Sequence, residues 1–386
     1  MVSYLSMAQK QFHQMDQGLD RIIAFLRRPL KLLGLDVLDS NWKLTPLTIV
    51  TISMFILQHY SSAWFLMTHL DSFVLFTECF STSGVGLEIA IRMGLLLYHR
   101  ELLNETIEII KNQKRSEAFI QLSNEFNKIV SVSVHMIAVI YMSTMIFELT
   151  PIVYPDPNKS NLPLAIYIPH IPHDVAPYWH LNYVYHTVLN FVCVMFLVAV
   201  DGTLVLSILA AVYQIKGLKL CLQELDTGAE QTVLHRELVR ICQTHQSIKQ
   251  FIRLLEQTYY LDLLIDFGLV CLILCMGLNV IAVDIMQPIG FYLISVAFQL
   301  FLLCSCGNLL LIESDSLSNC VYSIDWHVMP LPEQKMLMFM IANAQKPQVL
   351  SGIFMPLIMS SFMSPLSHSI YLDVWYGSMP FWYEKN

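Results

Sequence analysis

Seven apolar stretches, each about long enough to cross a bilayer, constrain the fold of this chain more than any other feature. A membrane-spanning helix needs roughly 20 consecutive, mostly apolar residues. The chain is 55% hydrophobic and only 13% charged, whereas soluble domains carry about 25% charged residues. The sequence therefore predicts an all-α integral membrane protein with seven transmembrane helices. The predicted spans are Leu44–Phe65, Phe73–Leu97, Val130–Thr150, Tyr183–Tyr213, Leu261–Val283, Ile289–Ile312 and Leu350–Leu372.

The distribution of Lys and Arg between these spans predicts the orientation of the chain. Nineteen basic residues fall in segments on one side of the membrane, two (Lys159 and Lys385) on the other, and Arg92 lies within the second span. Because short cytoplasmic segments carry an excess of Lys and Arg, the N-terminus is predicted to be cytoplasmic. An odd number of spans then places the C-terminus outside. A G-protein-coupled receptor, the less favoured alternative, has the opposite orientation.

Three charged side chains inside the predicted spans are expected to have structural partners. Glu88 and Arg92 are four residues apart in the second span, so they share one helix face and can form an ion pair. Asp201 stands alone in the fourth span, where an acidic residue is either functional or paired. We expect a polar partner for Asp201 on a neighbouring helix.

The segment from Pro151 to His180 is predicted to form an irregular loop on the outer side of the membrane. It contains seven prolines, a density that blocks both helix and sheet. The sequon Asn158-Lys159-Ser160 makes Asn158 the candidate glycosylation site. A second sequon at Asn104 lies on the predicted cytoplasmic side and is expected to stay unmodified.

The composition gives no indication of catalysis, of a cofactor or of a metal site. The nine cysteines lie in apolar or predicted cytoplasmic segments and show no ligand spacing. No catalytic arrangement of side chains is visible, so an enzyme is not predicted. The formal net charge of -8, without a basic patch, argues against nucleic acid as a partner.

An amphipathic helix is predicted on the cytoplasmic side, before the fifth span. Its apolar residues recur at spacings of three, four and seven among basic and polar residues, and only His245 interrupts the apolar stripe. The stripe could lie on the membrane surface or pack against a partner subunit. It consists of Leu234, Leu238, Ile241, Ile248, Ile252 and Leu255.

The last eighty or so residues carry an ordered set of features typical of one family. An apolar segment ends in a short polar sequence, a Tyr/Trp pair follows, and an amphipathic helix leads through Gln-Lys-Pro into a final apolar run. In this order the features resemble the C-terminal module of the insect odorant receptors, and the layout of the whole chain resembles that family as well. The residues are Cys304, Gly307, Asn308, Glu313, Ser314, Tyr322, Trp326, Lys335, Gln345, Lys346 and Pro347.

The resemblance implies a subunit of an odorant-gated, non-selective cation channel. A tuning receptor of this family works in a tetramer with a shared co-receptor, in the plasma membrane of olfactory neuron dendrites. Its other partners would be a small volatile odorant and membrane lipid. The related gustatory receptors, which share the layout, are the alternative, although their C-terminal signature differs.

The resemblance also divides the chain into functional segments. It implies a cytoplasmic tail at 1–43, six spans within 44–312, a cytoplasmic anchor at 313–349, a pore helix at 350–372 and an extracellular tail at 373–386. The anchor, where four subunits meet, would use Tyr322, Trp326, Lys335 and Lys346.

The family's odorant pocket lies in the outer halves of spans two, three, four and six. Aromatic and Met side chains with a few polar groups suit a small apolar ligand, although each could equally be core packing. The candidates are Phe76, Phe80, Tyr141, Met145, Tyr185, Phe191, Met195 and Phe298.

Two departures from the family pattern affect the C-terminal module. Leu309 stands where family members usually have an acidic residue. Pro365 can kink the final helix, in the part where the family has its gate. The gate residues are therefore not assigned within the helix expected to contain Leu357, Ser361 and Phe362.

Overall fold

The part of the chain that the structure describes is almost entirely helical, which confirms the all-α prediction. The computed structural model describes residues 2–39, 41–68, 73–112, 117–147, 162, 166–172, 175, 177–283, 289–352 and 355–363. The helices are α1 (Val2–Leu32), α2 (Pro46–Thr68), α3 (Phe73–Tyr98), α4 (Arg100–Asn112), α5 (Glu117–Phe147), α6 (Tyr178–Gln223), α7 (Gln231–Val283), α8 (Ile289–Tyr322) and α9 (Leu331–Ala344). A 3-10 helix, Trp326–Val328, precedes α9, and the strands β1 (Ser351–Gly352) and β2 (Met355–Pro356) follow it.

Five of the described helices, α2, α5, α6, α7 and α8, are long and apolar enough to cross a membrane. They correspond to the first, third, fourth, fifth and sixth predicted spans. The second predicted span is α3, a helix of 26 residues that carries Glu78, Glu88 and Arg92. At about 1.5 Å per residue, α3 is still long enough to cross the apolar layer of a bilayer.

Helix α6 forms the centre of the molecule. Every residue from 198 to 213 is buried, because α5, α7 and α8 pack around it and α1 covers part of it. A helix that is apolar on all sides is buried, either inside such a shell of helices or in a bilayer. Its 46 residues extend for about 70 Å, so it continues well beyond a bilayer.

The predicted cytoplasmic amphipathic helix and the fifth span form one continuous helix, α7, of 53 residues. Each of the six apolar stripe residues is at most 3% exposed. They belong to the same core as Leu337 and Met340 of α9. The stripe therefore packs inside this chain, and neither of the two expected locations, the membrane surface or a partner subunit, is correct.

His245, which interrupts this stripe, should make the stability of the protein sensitive to pH. It lies in the polar part of α7, before the apolar span, and is only 7% exposed. Burial, followed by the nearby charge of Lys249, lowers the pKa of His245 below the ordinary value of 6.5. The unfolded chain therefore binds this proton more tightly than the folded chain, so stability falls as the pH drops below about 6.5.

We expect the variant His245→Leu to lose less thermal stability than the wild type between pH 7.5 and pH 5.5. Leucine continues the apolar stripe and has no proton to bind. The unfolding midpoint of the detergent-solubilised protein measures the difference. The other groups that face this region, Lys346, Asn343 and Ser314, are the same in both proteins. Parallel pH curves for the two proteins would contradict this assignment.

Helix α1 occupies most of the segment that was expected to be a cytoplasmic tail. Its buried residues, among them Leu19, Leu26 and Leu30, pack on α5 and α6. Arg27, in the last part of α1, donates to both carboxylate oxygens of Asp36 in the turn that follows, at 2.9 and 2.7 Å. The apolar residues of this segment are thus part of the core, and the two-point ion pair fixes the turn into α2.

The start of the seventh predicted span differs from the prediction. The sequence suggested a helix from Leu350, but β1 and β2 form an antiparallel pair there, with Ser351 opposite Pro356 and Gly352 opposite Met355. Leu357 donates its backbone N–H to the Leu350 carbonyl at 2.8 Å, and helical residues begin only at 359. Pro356 has no N–H for a helix hydrogen bond. The remainder of the span, from 364, lies outside the described residues, as does the tail 373–386.

Candidate functional site

A group of buried polar side chains lies between α2, α3 and α6. Gln58, Ser61 and Ser62, on the buried face of α2, are at most 3% exposed. Gln58 packs against Gly86 of α3, and Ser61 faces the hydroxyl group of Tyr185 on α6. We call Gln58, Ser61, Ser62 and Tyr185 the polar cluster. It places hydrogen-bonding groups at the interface between these three helices.

The hydrogen-bonding capacity of the polar cluster is incompletely used within the chain. Among the residues that the structure describes, the Oε1 atom of Gln58 and the Oγ atom of Ser62 are buried and have no hydrogen-bond partner. A buried polar group without a partner costs free energy, so almost all such groups in folded proteins are paired. The cluster is therefore suited to a water molecule or a small ligand that can both donate and accept hydrogen bonds.

The described part of the proline-rich loop covers one end of this region. Ile166 and Tyr167 are buried against Phe65 of α2, and the rings of Phe65 and Tyr167 meet edge to face at 5.4 Å. The backbone N–H of Ile168 donates to the Asn182 side chain at 2.8 Å. We call this described part of the loop the lid; Asn158 and most of the segment lie outside the described residues.

The eight nominated ligand residues do not all face one space. Phe76 and Phe80 stack on α3 at 6.1 Å. Tyr141 and Met145 lie in the main core, whereas Met195 packs into a second cluster around Phe55 and Phe196. Phe191 points outward and is 38% exposed, Phe298 on α8 is partly buried, and Tyr185 belongs to the polar cluster. The set therefore divides between at least two packing regions.

A second polar feature, which we call the charge network, surrounds Arg92 of α3. Its guanidinium group is fully buried and contacts four carboxyl groups on three helices. The distances are 3.1 Å to Glu88 of α3, 2.5 Å to Asp201 of α6, 2.9 Å to Asp262 and 3.1 Å to Asp266 of α7.

Two further helices are attached to the charge network by neutral side chains. Tyr141 of α5 donates its hydroxyl to Asp201 at 2.5 Å, and Gln299 of α8 donates its amide to Asp266 at 2.7 Å. The network thus joins five helices, α3, α5, α6, α7 and α8. Within the described residues, no group of three or more His, Cys, Asp or Glu side chains is arranged to hold a metal ion.

The acidic residues of the charge network outnumber its cation. If all four carboxyl groups were ionised, the formal charge of the network would be -3. Burying such an excess of negative charge is strongly unfavourable without the compensating charge of Arg92. Arg92 is consequently the residue on which every other member depends.

The sequence predicted part of the charge network. The Glu88–Arg92 pair and a partner for Asp201 on another helix are both confirmed. The contributions of Asp262 and Asp266 were missed, although two carboxyl groups four residues apart at the start of an apolar span are a visible signal. Gln58, Ser61 and Ser62 were missed because small polar residues are common in membrane helices.

Comparisons with known proteins agree on one family. A sequence model described as 7tm Odorant receptor matches residues 70–370. The chain belongs to this odorant receptor family. Its sequence is 30% identical to Odorant receptor 85c of Drosophila melanogaster over 125 residues, which are 31% of this chain and 32% of that receptor. The family is one of receptors, not of enzymes.

The fold of this odorant receptor is also that of a solved insect olfactory receptor. The chain is similar to the olfactory receptor OR5 from Machilis hrabei, with a TM-score of 0.82, 13% identity and coverage of 95% of this chain and 98% of that one. The structure of OR5 in complex with eugenol gives a TM-score of 0.79, with 13% identity and coverage of 94% and 98%. The receptor therefore has the seven-helix membrane fold of OR5.

The C-terminal signature of the receptor has identifiable structural roles. Glu313 of α8 accepts a hydrogen bond from Lys219 of α6 at 2.6 Å, and the backbone N–H of Gln348 donates to Ser314 Oγ at 2.9 Å. The first contact ties the C-terminal parts of two long helices together. The second fixes the backbone directly after Pro347, so the signature positions the segment that follows α9.

The four predicted anchor residues lie on the surface of the receptor. Tyr322 and Trp326 are 65% and 38% exposed, and Lys335 and Lys346 are exposed as well. Further large apolar side chains are exposed around them. These are Val328, Leu331, Met338 and Phe339.

Proposed function

We propose that this receptor is a subunit of an odorant-gated, non-selective cation channel that assembles with the family's co-receptor. The observation that carries the proposal is the family match over residues 70–370. The fold similarity to a receptor solved with eugenol supports an odorant as the ligand. The site of action would be the plasma membrane of olfactory neuron dendrites, with a cytoplasmic N-terminus.

The exposed apolar surface around Trp326 supports assembly through the anchor. Large apolar patches on a protein surface commonly mark contacts with other proteins. In the proposed channel, residues 313–349 form this anchor, and the segment 350–372 contributes to the pore.

Whole-cell recording from cells that express the receptor with and without the co-receptor tests the proposal. We expect an odorant panel to evoke a rapid cation current only when both proteins are present, and blockade of G proteins to leave it unchanged. A current that disappears with G-protein blockade would contradict the channel mechanism.

We also propose that the odorant binds beneath the lid, between apolar side chains and the polar cluster. Ligand pockets combine mostly apolar walls with a few placed polar groups. Three nominated residues lie at this place. Tyr185 belongs to the polar cluster, and Phe76 and Phe80 are within one helical turn of Cys79, whose thiol contacts the Ser62 carbonyl. The remaining five nominated residues would line other parts of the same pocket or the helix core.

Alanine replacements test this location. We expect Phe80→Ala and Ser62→Ala to raise the odorant concentration for half-maximal current several-fold, because one removes an apolar contact and the other a hydrogen-bonding group. Val188→Ala, on the exposed face of α6, is the control and should have little effect. Unchanged dose-response curves for both Phe80→Ala and Ser62→Ala would contradict a pocket at this place.

Asn158 is proposed as the glycosylated residue, which fixes the orientation of the chain. We expect Asn158→Gln to abolish the mobility shift produced by endoglycosidase. Asn104→Gln is the control, since Asn104 already donates to the Val37 carbonyl at 3.0 Å and is predicted to be cytoplasmic. A shift that requires Asn104 would reverse the predicted topology.

A further inference from the structure

We propose that the charge network couples odorant binding to the C-terminal segment that forms part of the proposed pore. The inference rests on the proposed channel function and adds to it a set of residues that transmit the response. Two of these residues, Tyr141 and Gln299, would act by positioning helices.

The first step is the link from the ligand region to the network. Tyr141 is 4% exposed, and its hydroxyl is committed to Asp201. Met145 lies one helical turn further along the same helix. A ligand that displaces α5 must therefore lengthen or break the Tyr141–Asp201 hydrogen bond.

The second step is the rigid connection across the centre of the molecule. Asp201 is bound to Arg92, and Arg92 to Asp266. The side chains of all three residues are at most 1% exposed, so these contacts are shielded from bulk solvent. Charged hydrogen bonds are stronger than neutral ones, and this chain of them holds α3, α6 and α7 as one unit.

The third step leads from the network to the C-terminal segment through α8. Gln299 binds Asp266, while another part of α8 lies against residues 357–362. The ring of Phe301 meets that of Phe362 edge to face at 5.6 Å, and Gly307 is in tight contact with Leu357. A movement of α8 relative to the network must therefore change the contacts between α8 and this segment.

Spatial continuity alone does not establish coupling, so the test is a double-mutant cycle. The variants Tyr141→Phe and Gln299→Leu each remove one hydrogen bond at opposite ends of the network. The readout is the odorant concentration for half-maximal current, together with the fraction of channels open without odorant. Surface biotinylation normalises the number of receptors, and Gln299→Met replaces Gln299→Leu if the latter does not reach the surface.

We expect the change in half-maximal odorant concentration in the double variant to differ from the product of the changes in Tyr141→Phe and Gln299→Leu. The difference should be at least about fivefold, the lower end of typical allosteric couplings. The fraction of channels open without odorant should change in each single variant. If Tyr141 only touched the odorant, its effect would be independent of Gln299 and would leave that fraction unchanged.

Tyr213→Phe is the matched control. Tyr213 is also a buried tyrosine whose hydroxyl donates to a carboxylate, in this case Glu125 at 2.7 Å, but it is not part of the charge network. Its effect should multiply with that of Gln299→Leu. Multiplicative behaviour of Tyr141→Phe with Gln299→Leu would overturn the coupling, whereas absence of any odorant-evoked current from the wild type would overturn the proposed function itself.

Discussion

Replacement of Arg92 by methionine is expected to prevent the receptor from reaching the cell surface. Methionine is unbranched like the stem of arginine and fits an apolar interior, but it leaves four buried carboxyl groups without the only cation that contacts them in the described part of the chain. Removing one partner of a buried ion pair typically costs about 3 to 5 kcal/mol. That is a large part of the free energy of unfolding of a typical protein, which is roughly 5 to 15 kcal/mol.

Surface biotinylation and size-exclusion chromatography of a fluorescent fusion measure this effect. The matched control is Asp266→Asn, which keeps the shape of the side chain, retains an oxygen for Arg92 and Gln299, and reduces the excess of acidic groups. We expect the control to reach the surface at close to the wild-type level. The interpretation fails if Arg92→Met is delivered normally while Asp266→Asn is retained in the cell.

The variant Gly307→Ala is expected to abolish most of the odorant-evoked current. A Cβ atom at this position would collide with the Leu357 carbonyl oxygen and would lie 2.7 Å from the Leu357 Cγ. Because the carbonyl oxygen belongs to the backbone, a side-chain rotation cannot relieve the collision. Overpacking of this kind costs about 1 to 3 kcal/mol. The segment that leads to Phe362 would have to move away from α8.

The control for this prediction is Gly217→Ala on α6, where an added Cβ has no atom within 4 Å. Alanine is better than glycine inside a helix by about 1 kcal/mol, so the control should be neutral or slightly stabilising. Current per surface receptor separates the two variants. Equal current from Gly307→Ala and wild type would show that the contact with Leu357 is not needed for channel opening.

The membrane helices could be predicted from the sequence because their signal is local. Twenty apolar residues in a row have few alternatives in a bilayer, and the pair Glu88 and Arg92 is set by helical spacing alone. The convergence of Asp262 and Asp266 on Arg92 could not be obtained in this way. It depends on how α3, α6 and α7 pack together.

The C-terminal module also combines features that its sequence predicts with features that depend on packing. Its order of residues identified the family, but the reason for Gly307 became visible only where the backbone at Leu357 approaches α8. The short strands β1 and β2 were not predicted, because the apolar composition around Gly352 and Pro356 favours one continuous membrane helix. Likewise, aromatic and Met side chains nominated for the odorant pocket have the same composition as ordinary helix cores, so only their placement can separate the two.

The most direct test of the channel account is recording from outside-out membrane patches that contain the receptor and its co-receptor. Such patches lack cytosol, so second messengers and soluble G-protein pathways cannot carry the signal. We predict unitary cation currents whose open probability rises within milliseconds of odorant application. Patches that stay silent, taken from cells whose whole-cell current responds to the same odorant, would contradict direct gating and indicate an indirect mechanism.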